Sequence, residues 1–338
     1  MKALQIFFPS PYQVVLEEKE IDEEIGDKEI LVKNHYTLIS PGTELAFYTG
    51  THVGLSDPNN KWAKYPFYPG YASVGEVIKV GKDISEFKVG DLVYTLGRHC
   101  SVIKTELSDP LNRPVVKLSK DISQEEILFA RLVAISLTAI HVGKFEIGEY
   151  TAVFGLGLIG NFVSQLLKIR GIGVIGIDPV ENRLLKAKLC GIEYTINPDK
   201  EDIYNKIYEI TGGKGLRSVI EATGIPSVLD IAFKLVDKRG QIILLGSPRG
   251  KAEIDIYNDI HRKGISIVGA HEGLQEYFDI PNRLTNTLYA IELIKRGILK
   301  VKELHTHTVV PAKAKEAYEL LLNKKEEALG ILIDWQEV

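Results

Sequence analysis

A chain of 338 residues, 45% of them apolar, is long enough for two domains with sizeable cores. Its 41 Lys and Arg against 45 Asp and Glu give a net charge of −4 with no long run of one sign, which excludes the electrostatic footprint of a nucleic-acid or anionic-membrane partner. Cys100 and Cys190 are the only cysteines, so a disulfide framework is excluded, a cytoplasmic setting is expected, and no stretch reads as a transmembrane span.

Residues 1–120 read mostly as β-structure. Ala3–Phe8, Glu29–Tyr36, Gly75–Val80 and Asp91–Leu96 are short β-rich runs set off by Gly, Pro and Asp turns. Pro9 and Pro11 interrupt the apolar opening and no small-residue cleavage site follows, so a first strand is expected there rather than a leader. Ser123-Gln-Glu-Glu126 has capping-box spacing and predicts a helix carrying Ile127, Leu128 and Ala130. From Gly148 onward strands and helices alternate.

The first unit of that alternation is the most informative. Tyr150–Phe154 reads as a strand and Gly155-Leu-Gly157-Leu158-Ile159-Gly160 as a glycine turn. Phe162, Val163, Leu166 and Leu167 line one side of a helix, and Val174–Ile177 is a second strand ending on Asp178. Gly155 allows a sharp turn out of the strand, Gly157 lets backbone approach a pyrophosphate, and Gly160 lets helix and strand pack closely. The helix N-terminus offers unpaired N–H groups and a positive dipole end. The run Gly155–Gly160 is therefore expected to cradle a dinucleotide, with Asp178 accepting hydrogen bonds from a ribose 2′-hydroxyl. A carboxylate there repels a 2′-phosphate, which favours NAD over NADP, although Arg183 lies five residues on and could reach the adenosine ribose.

Arg217–Gly224 then reads as a strand ending in a polar turn, followed by a helix from Ser227 to Val236 and the strands Gln241–Gly246 and Ile265–Ala270. Alternation of this kind argues for an α/β fold with a doubly wound parallel sheet. An amphipathic helix (Leu284–Arg296), a strand-like Thr306–Val310, a helix (Ala312–Asn323) and a last strand (Gly330–Trp335) close the chain. This segment is expected to return to the first domain, giving divisions at 1–135, 136–271 and 272–338.

An ordered set of motifs runs nearly end to end: Pro69-Gly70, Gly75-Glu-Val-Ile-Lys-Val-Gly81, Phe87-Lys-Val-Gly-Asp91, Gly155–Gly160, Ile177-Asp-Pro179, Glu221-Ala-Thr-Gly224, Leu245-Gly246 and Gly269-Ala-His271. Through it the chain resembles the medium-chain dehydrogenase/reductase superfamily, of the alcohol dehydrogenase-like kind. The resemblance implies a GroES-like β-rich substrate domain, a Rossmann domain, a cleft between them, a small-molecule substrate, and a homodimer or homotetramer. It also implies that Ala222 and Thr223, Gly246 and Ser247, and Ala270 and His271 border the cofactor from the ends of later strands.

The departures from the family pattern are equally informative. Where zinc-using members carry three metal ligands, this chain carries Pro41, Tyr71 and Ala134; proline and alanine have no donor to offer. The four-cysteine loop of a structural zinc is replaced by a run ending in His99-Cys100, so no zinc is expected. Ser40-Pro-Gly-Thr-Glu44 and Pro69-Gly-Tyr-Ala-Ser-Val-Gly75 together resemble a zinc-less branch that includes bacteriochlorophyllide dehydrogenases.

Without a metal, side chains must manage the proton and the developing oxyanion. By the resemblance, Thr43 matches the hydroxyl that relays the alcohol proton, Glu44 the acid behind the ligand histidine, and Tyr71 stands in that histidine's place. Glu44 and Tyr71 are expected to face each other, with the Tyr71 hydroxyl toward the substrate; the bland alternative is a structural bond plugging a lost metal site. His99, in a turn, is a further acid–base candidate. His141, His305 and His307 read as structural, and Trp62, Tyr65, Phe67 and Tyr68 as either cleft lining or core. The leading expectation is an NAD-dependent alcohol, polyol or ketone oxidoreductase working without zinc. An NADPH-dependent quinone or enoyl reductase and a non-catalytic nucleotide-binding protein stand as alternatives.

Overall fold

A computed structural model of the chain describes residues 1–276 and 280–338. It forms two compact units, one of Met1–Arg131 with Asn282–Val338 and the other of Leu132–Pro281.

The first unit opens with β1 (Lys2–Phe7) paired antiparallel to β2 (Val15–Glu20), then β3 (Glu29–Leu38), β4 (Ser73–Val80), β5 (Leu92–Thr95), β6 (Val102–Glu106) and β7 (Val116–Lys117). β2 carries four charged residues in six and has no apolar alternation to reveal it. Antiparallel pairing of β3 with β4 sets Thr37 opposite Ser73 and brings the chain on either side of residues 40 and 71 to one sheet end. α1 (Pro41–Tyr48) leaves β3 with a proline in its first turn, where the missing N–H has no helical partner to lose. The expected cap at Ser123 forms, its Oγ accepting from Glu126 N at 3.3 Å, but the helix it opens is short. α2 (Gln124–Ile127) stops and α3 (Ala130–Val142) begins afresh.

The second unit continues with β8 (Tyr150–Phe154), α4 (Leu158–Ile169), β9 (Gly173–Ile177), α5 (Glu181–Leu189), β10 (Tyr194–Ile196), α6 (Ile203–Thr211), β11 (Leu216–Glu221), α7 (Val228–Leu235), β12 (Val236–Leu244) and β13 (Ser266–Gly269). The six strands lie in the order β10-β9-β8-β11-β12-β13, all parallel, so the order reverses between β8 and β11. Loops at the carboxyl ends of strands flanking such a reversal are where open parallel sheets collect ligands. Ala152, Phe154, Ile175, Ile177, Val219 and Ile242 fill the core from successive strands.

The chain then adds α8 (Arg283–Lys295), β14 (His305–Val309), α9 (Ala314–Asn323) and β15 (Gly330–Asp334) to the first unit. β15 pairs antiparallel with β3, completing the sheet order β14-β15-β3-β4-β5-β7 with β6 also on β3. Trp335 and Tyr318 are thereby packed with Phe8, Phe47 and Tyr48 in the core. Among the described residues no helix is long and apolar enough to cross a membrane.

Candidate functional site

In the second unit the glycine run falls at the β8–β11 reversal. Gly155 has φ +86°, a conformation that favours glycine, and a Cβ on Gly160 would stand 1.7 Å from Gly155 O, so no side chain fits there. Gly157 differs: a Cβ there would meet nothing within 4 Å. It caps α4 without a side chain, and the first N–H groups of a helix have no intrahelical partner. This open, donor-rich helix end fits a pyrophosphate. Leu158 is buried and Ile159 partly so. Gly157→Val is expected to leave the melting temperature within a few degrees while weakening NADH binding at least about tenfold, as read by calorimetry; unchanged affinity would remove Gly157 from the site.

Asp178 follows β9 as expected, yet it is only 2% exposed. Its Oδ2 accepts from Leu156 N at 2.7 Å and its Oδ1 from Val180 N at 2.9 Å, so the carboxylate fastens the glycine turn to the end of β9. Arg183, expected near the ribose, folds onto the same carboxylate with Nη1 3.5 Å from Oδ2, and its buried Nε has no partner among the described residues.

Sequence reasoning picked Ala222 and Thr223 and overlooked their neighbour. Glu221, buried at the end of β11, accepts on Oε1 from Thr223 N at 2.6 Å and Gly224 N at 2.9 Å, and also from the Thr223 hydroxyl. This buried acid shapes the turn beside the glycine run. Gly246 N donates to Glu221 O at 2.7 Å, drawing in the end of β12, and Ser247 beyond it is exposed. Ala270 N donates to Leu244 O and Ala270 O accepts from Thr138 Oγ1. His271 is exposed, its Nδ1 accepting from Gly273 N at 3.1 Å.

In the first unit the end of β3, the start of α1, the approach to β4, the turn after β5, α9 and the end of β15 bring one polar group together. The Glu44 carboxylate lies close enough to act on the Tyr71 phenol, but the hydrogen bonds of the two side chains go to other partners, not to each other as the structural alternative would have it. α1 turns Glu44 inward until it is fully buried, and Oε1 reaches back one turn to accept from Ser40 N at 3.0 Å. Oε2 accepts from the Tyr318 hydroxyl at 2.6 Å and pairs with His99 Nε2 at 3.0 Å. His99 is fully buried rather than set at the surface of its turn. Its Nδ1 lies 2.8 Å from Thr37 Oγ1, which also accepts from Trp335 Nε1 at 2.9 Å. Part of the polarity follows from the groups themselves: the Trp335 indole can only donate to Thr37, and an ionised Glu44 can only accept, so His99 Nε2–H donates to it. Both His99 nitrogens are engaged, one by Thr37 and the other by Glu44, so the imidazole links the two.

Tyr71 donates instead to Ser40 Oγ. Its ring lies under the Arg131 guanidinium, 5.0 Å from the ring centroid, and its phenol also feels the Thr43 hydroxyl. Burial pushes the Tyr71 phenol above its ordinary value, with Arg131 and the Ser40 hydroxyl opposing and Glu44 reinforcing. Tyr318 stands well above the ordinary range, first through burial and then through the Glu44 carboxylate. An unfolded phenol ionises near pH ~10, so the stability these neutral phenols contribute is whole below that pH and is lost as pH rises through their higher folded values. Tyr318→Phe should therefore flatten the decline in urea midpoint above pH ~10; an unchanged slope would contradict the assignment.

The donor set does not suit a zinc ion. Pro41 and Ala134 carry no donor, Tyr71 holds its proton and bonds Ser40, and the nearby Glu44 and His99 are spent on one another. Among the described residues no three His, Cys, Asp or Glu side chains are grouped to hold a metal. Cys100 and Cys190 are buried in different units and form no disulfide with each other, and burial pushes the Cys100 thiol up to about 12, out of nucleophilic range.

Comparison with known proteins bears on the whole chain. Residues 26–111 match the alcohol dehydrogenase GroES-like domain and residues 159–286 the zinc-binding dehydrogenase domain. The chain is 27% identical to L-threonine 3-dehydrogenase of Caldanaerobacter subterraneus subsp. tengcongensis, covering 90% of this chain and 91% of that one. It is 25% identical to sorbitol dehydrogenase of Bacillus subtilis, over 92% and 91%. The crystal structure of 2R,3R-butanediol dehydrogenase from Bacillus subtilis superposes with a TM-score of 0.81 at 23% identity, covering 98% of this chain and 99% of that one.

Proposed function

We propose that this chain, which carries the GroES-like and nucleotide-binding domains of zinc-type alcohol dehydrogenases, is an oxidoreductase that moves a hydride between NAD(H) and an alcohol, polyol or ketone without catalytic zinc. The observation that carries this reading is the saturation of Glu44. Ser40 N, His99 and Tyr318 already bond the carboxylate, and Tyr71, which by the resemblance stands in a ligand histidine's place, gives its hydroxyl to Ser40.

A bound nicotinamide dinucleotide would supply or take the hydride; everything else falls to the chain. The α4 N-terminus and Gly157 would hold the pyrophosphate, and the Asp178 charge disfavours a 2′-phosphate. Thr43 and Tyr71 would orient the substrate oxygen, with Tyr71 donating to it. Glu44 and His99 would act behind them by fixing Ser40. The working form is taken to be a homodimer or homotetramer.

One observation favours a second reading. Arg183, with its Nε unpartnered beside Asp178, is a cation that a 2′-phosphate could recruit. An NADPH-dependent reductase of activated C=C bonds would use it. Calorimetric titration with NADH and NADPH, followed by turnover on alcohol, polyol, ketone and enone panels, separates the two. Tight NADH binding with alcohol or ketone turnover supports the first, and NADPH preference with enone reduction supports the second. Binding without any turnover would favour a nucleotide-binding protein with no catalytic role.

A further inference from the structure

Ser40 occupies the N-cap of α1, where a serine hydroxyl ordinarily accepts from the first helical N–H groups, yet it makes no such bond. Its hydroxyl meets Tyr71 instead, and its backbone N–H is held by Glu44. Tyr71 thus has Ser40 at its oxygen, Thr43 one helical turn along and the Arg131 guanidinium over its ring. Arg131 is itself 8% exposed. The charged groups facing Tyr71 are Arg131 and Glu44; His99 and Tyr318 lie behind Glu44 and are bonded to it.

Resting on the oxidoreductase reading above, we propose that Ser40 is a positioning residue that aims the Tyr71 hydroxyl, and that Ser40 and Arg131 together make Tyr71 the proton donor of a site built for carbonyl reduction. In the free site the Tyr71 hydroxyl donates its hydrogen bond to Ser40 Oγ. A carbonyl oxygen can take that hydrogen bond, and the Ser40 hydroxyl then turns to donate to Tyr71.

In reduction, the carbonyl carbon receives the hydride pair from a reduced nicotinamide dinucleotide, which leaves oxidised, and the C=O π pair moves onto oxygen. That oxygen takes the Tyr71 proton, and the phenolate, held by Arg131 above its ring and by the Ser40 hydroxyl, recovers a proton from water. Because burial keeps the phenol protonated through neutral pH, reduction has its acid ready. Alcohol oxidation needs the phenolate, whose fraction rises tenfold for each pH unit below the phenol's pKa.

The test combines kinetics with spectroscopy on the full chain. With NADH and the panel ketone turned over fastest, kcat/KM should stay level between pH 6 and pH 9, as read against the alcohol's kcat/KM, which should climb about tenfold per unit over the same window. A plateau in oxidation near neutrality would overturn the proposal, as would a fall in reduction there. Ser40→Ala should lower kcat for reduction about tenfold with NADH affinity unchanged, and Ser40→Thr should restore it. Equal kcat in Ser40→Ala, or loss of NADH affinity alone, would also overturn it. Independently of turnover, carbon-13 labelling of the tyrosine ring, with Tyr71 identified by Tyr71→Phe, should show no ionisation of Tyr71 between pH 6 and pH 9. Titration inside that window sinks the inference, whereas an absence of turnover across the panel would instead sink the reading it rests on.

Discussion

Tyr71→Phe should reduce ketone turnover about 10²–10⁴-fold while leaving NADH affinity unchanged, the range expected when a positioned proton donor is removed. The substitution deletes one oxygen and keeps the ring, so the Arg131 stack survives. What disappears is the hydrogen bond to Ser40 and the proton for the substrate oxygen. Neither Glu44 nor His99 is placed to substitute. Glu44 already accepts three bonds, and His99 has both nitrogens engaged and no exposed surface. A structural plug would behave differently, with stability lost and turnover largely retained. Urea unfolding beside steady-state kinetics distinguishes these outcomes.

Glu44→Leu should destabilise the first unit by about 3–5 kcal/mol, the usual cost of removing one partner from a buried polar or ionic group. Leucine removes the acceptor for Ser40 N, His99 Nε2–H and the Tyr318 hydroxyl together, all in surroundings with almost no water. Glu44→Gln should cost markedly less, because an amide oxygen still accepts. Urea denaturation monitored by Trp335 and Trp62 fluorescence reads the difference. Equal stability of Glu44→Leu and the parent chain would mean that the network does not organise the unit.

The second unit was legible because its signals are local. Glycine spacing, the alternation of strands and helices and the acid ending Val174–Ile177 lie within one short stretch, and Gly155 and Gly160 meet the steric demands assigned to them, whereas a Cβ on Gly157 would meet nothing within 4 Å. The depth of Asp178 was not legible, since a strand-terminal acid gives no sign of whether it faces solvent or the backbone N–H of Leu156. Glu221 was hidden for the same reason, its role resting on a turn that only the folded chain forms.

The first unit's polar network was legible only in part. Glu44, Tyr71 and His99 were singled out, but their pairing was not, because it is settled by residues from distant elements. Tyr318 on α9 lies 274 positions from the carboxylate it bonds, and Trp335 lies 298 positions from Thr37. Trp335 was the one available hint, since a buried indole N–H needs an acceptor. α1 escaped as a helix because Pro41-Gly42 at its start reads locally as a turn.

The most direct measurement is the metal content of purified, catalytically active protein by mass spectrometry, with turnover followed before and after exhaustive chelation. The saturated Glu44 and the donorless Pro41 and Ala134 predict far less than stoichiometric zinc and turnover indifferent to the chelator. Stoichiometric zinc, with activity lost on its removal and restored on its return, would contradict the metal-free site.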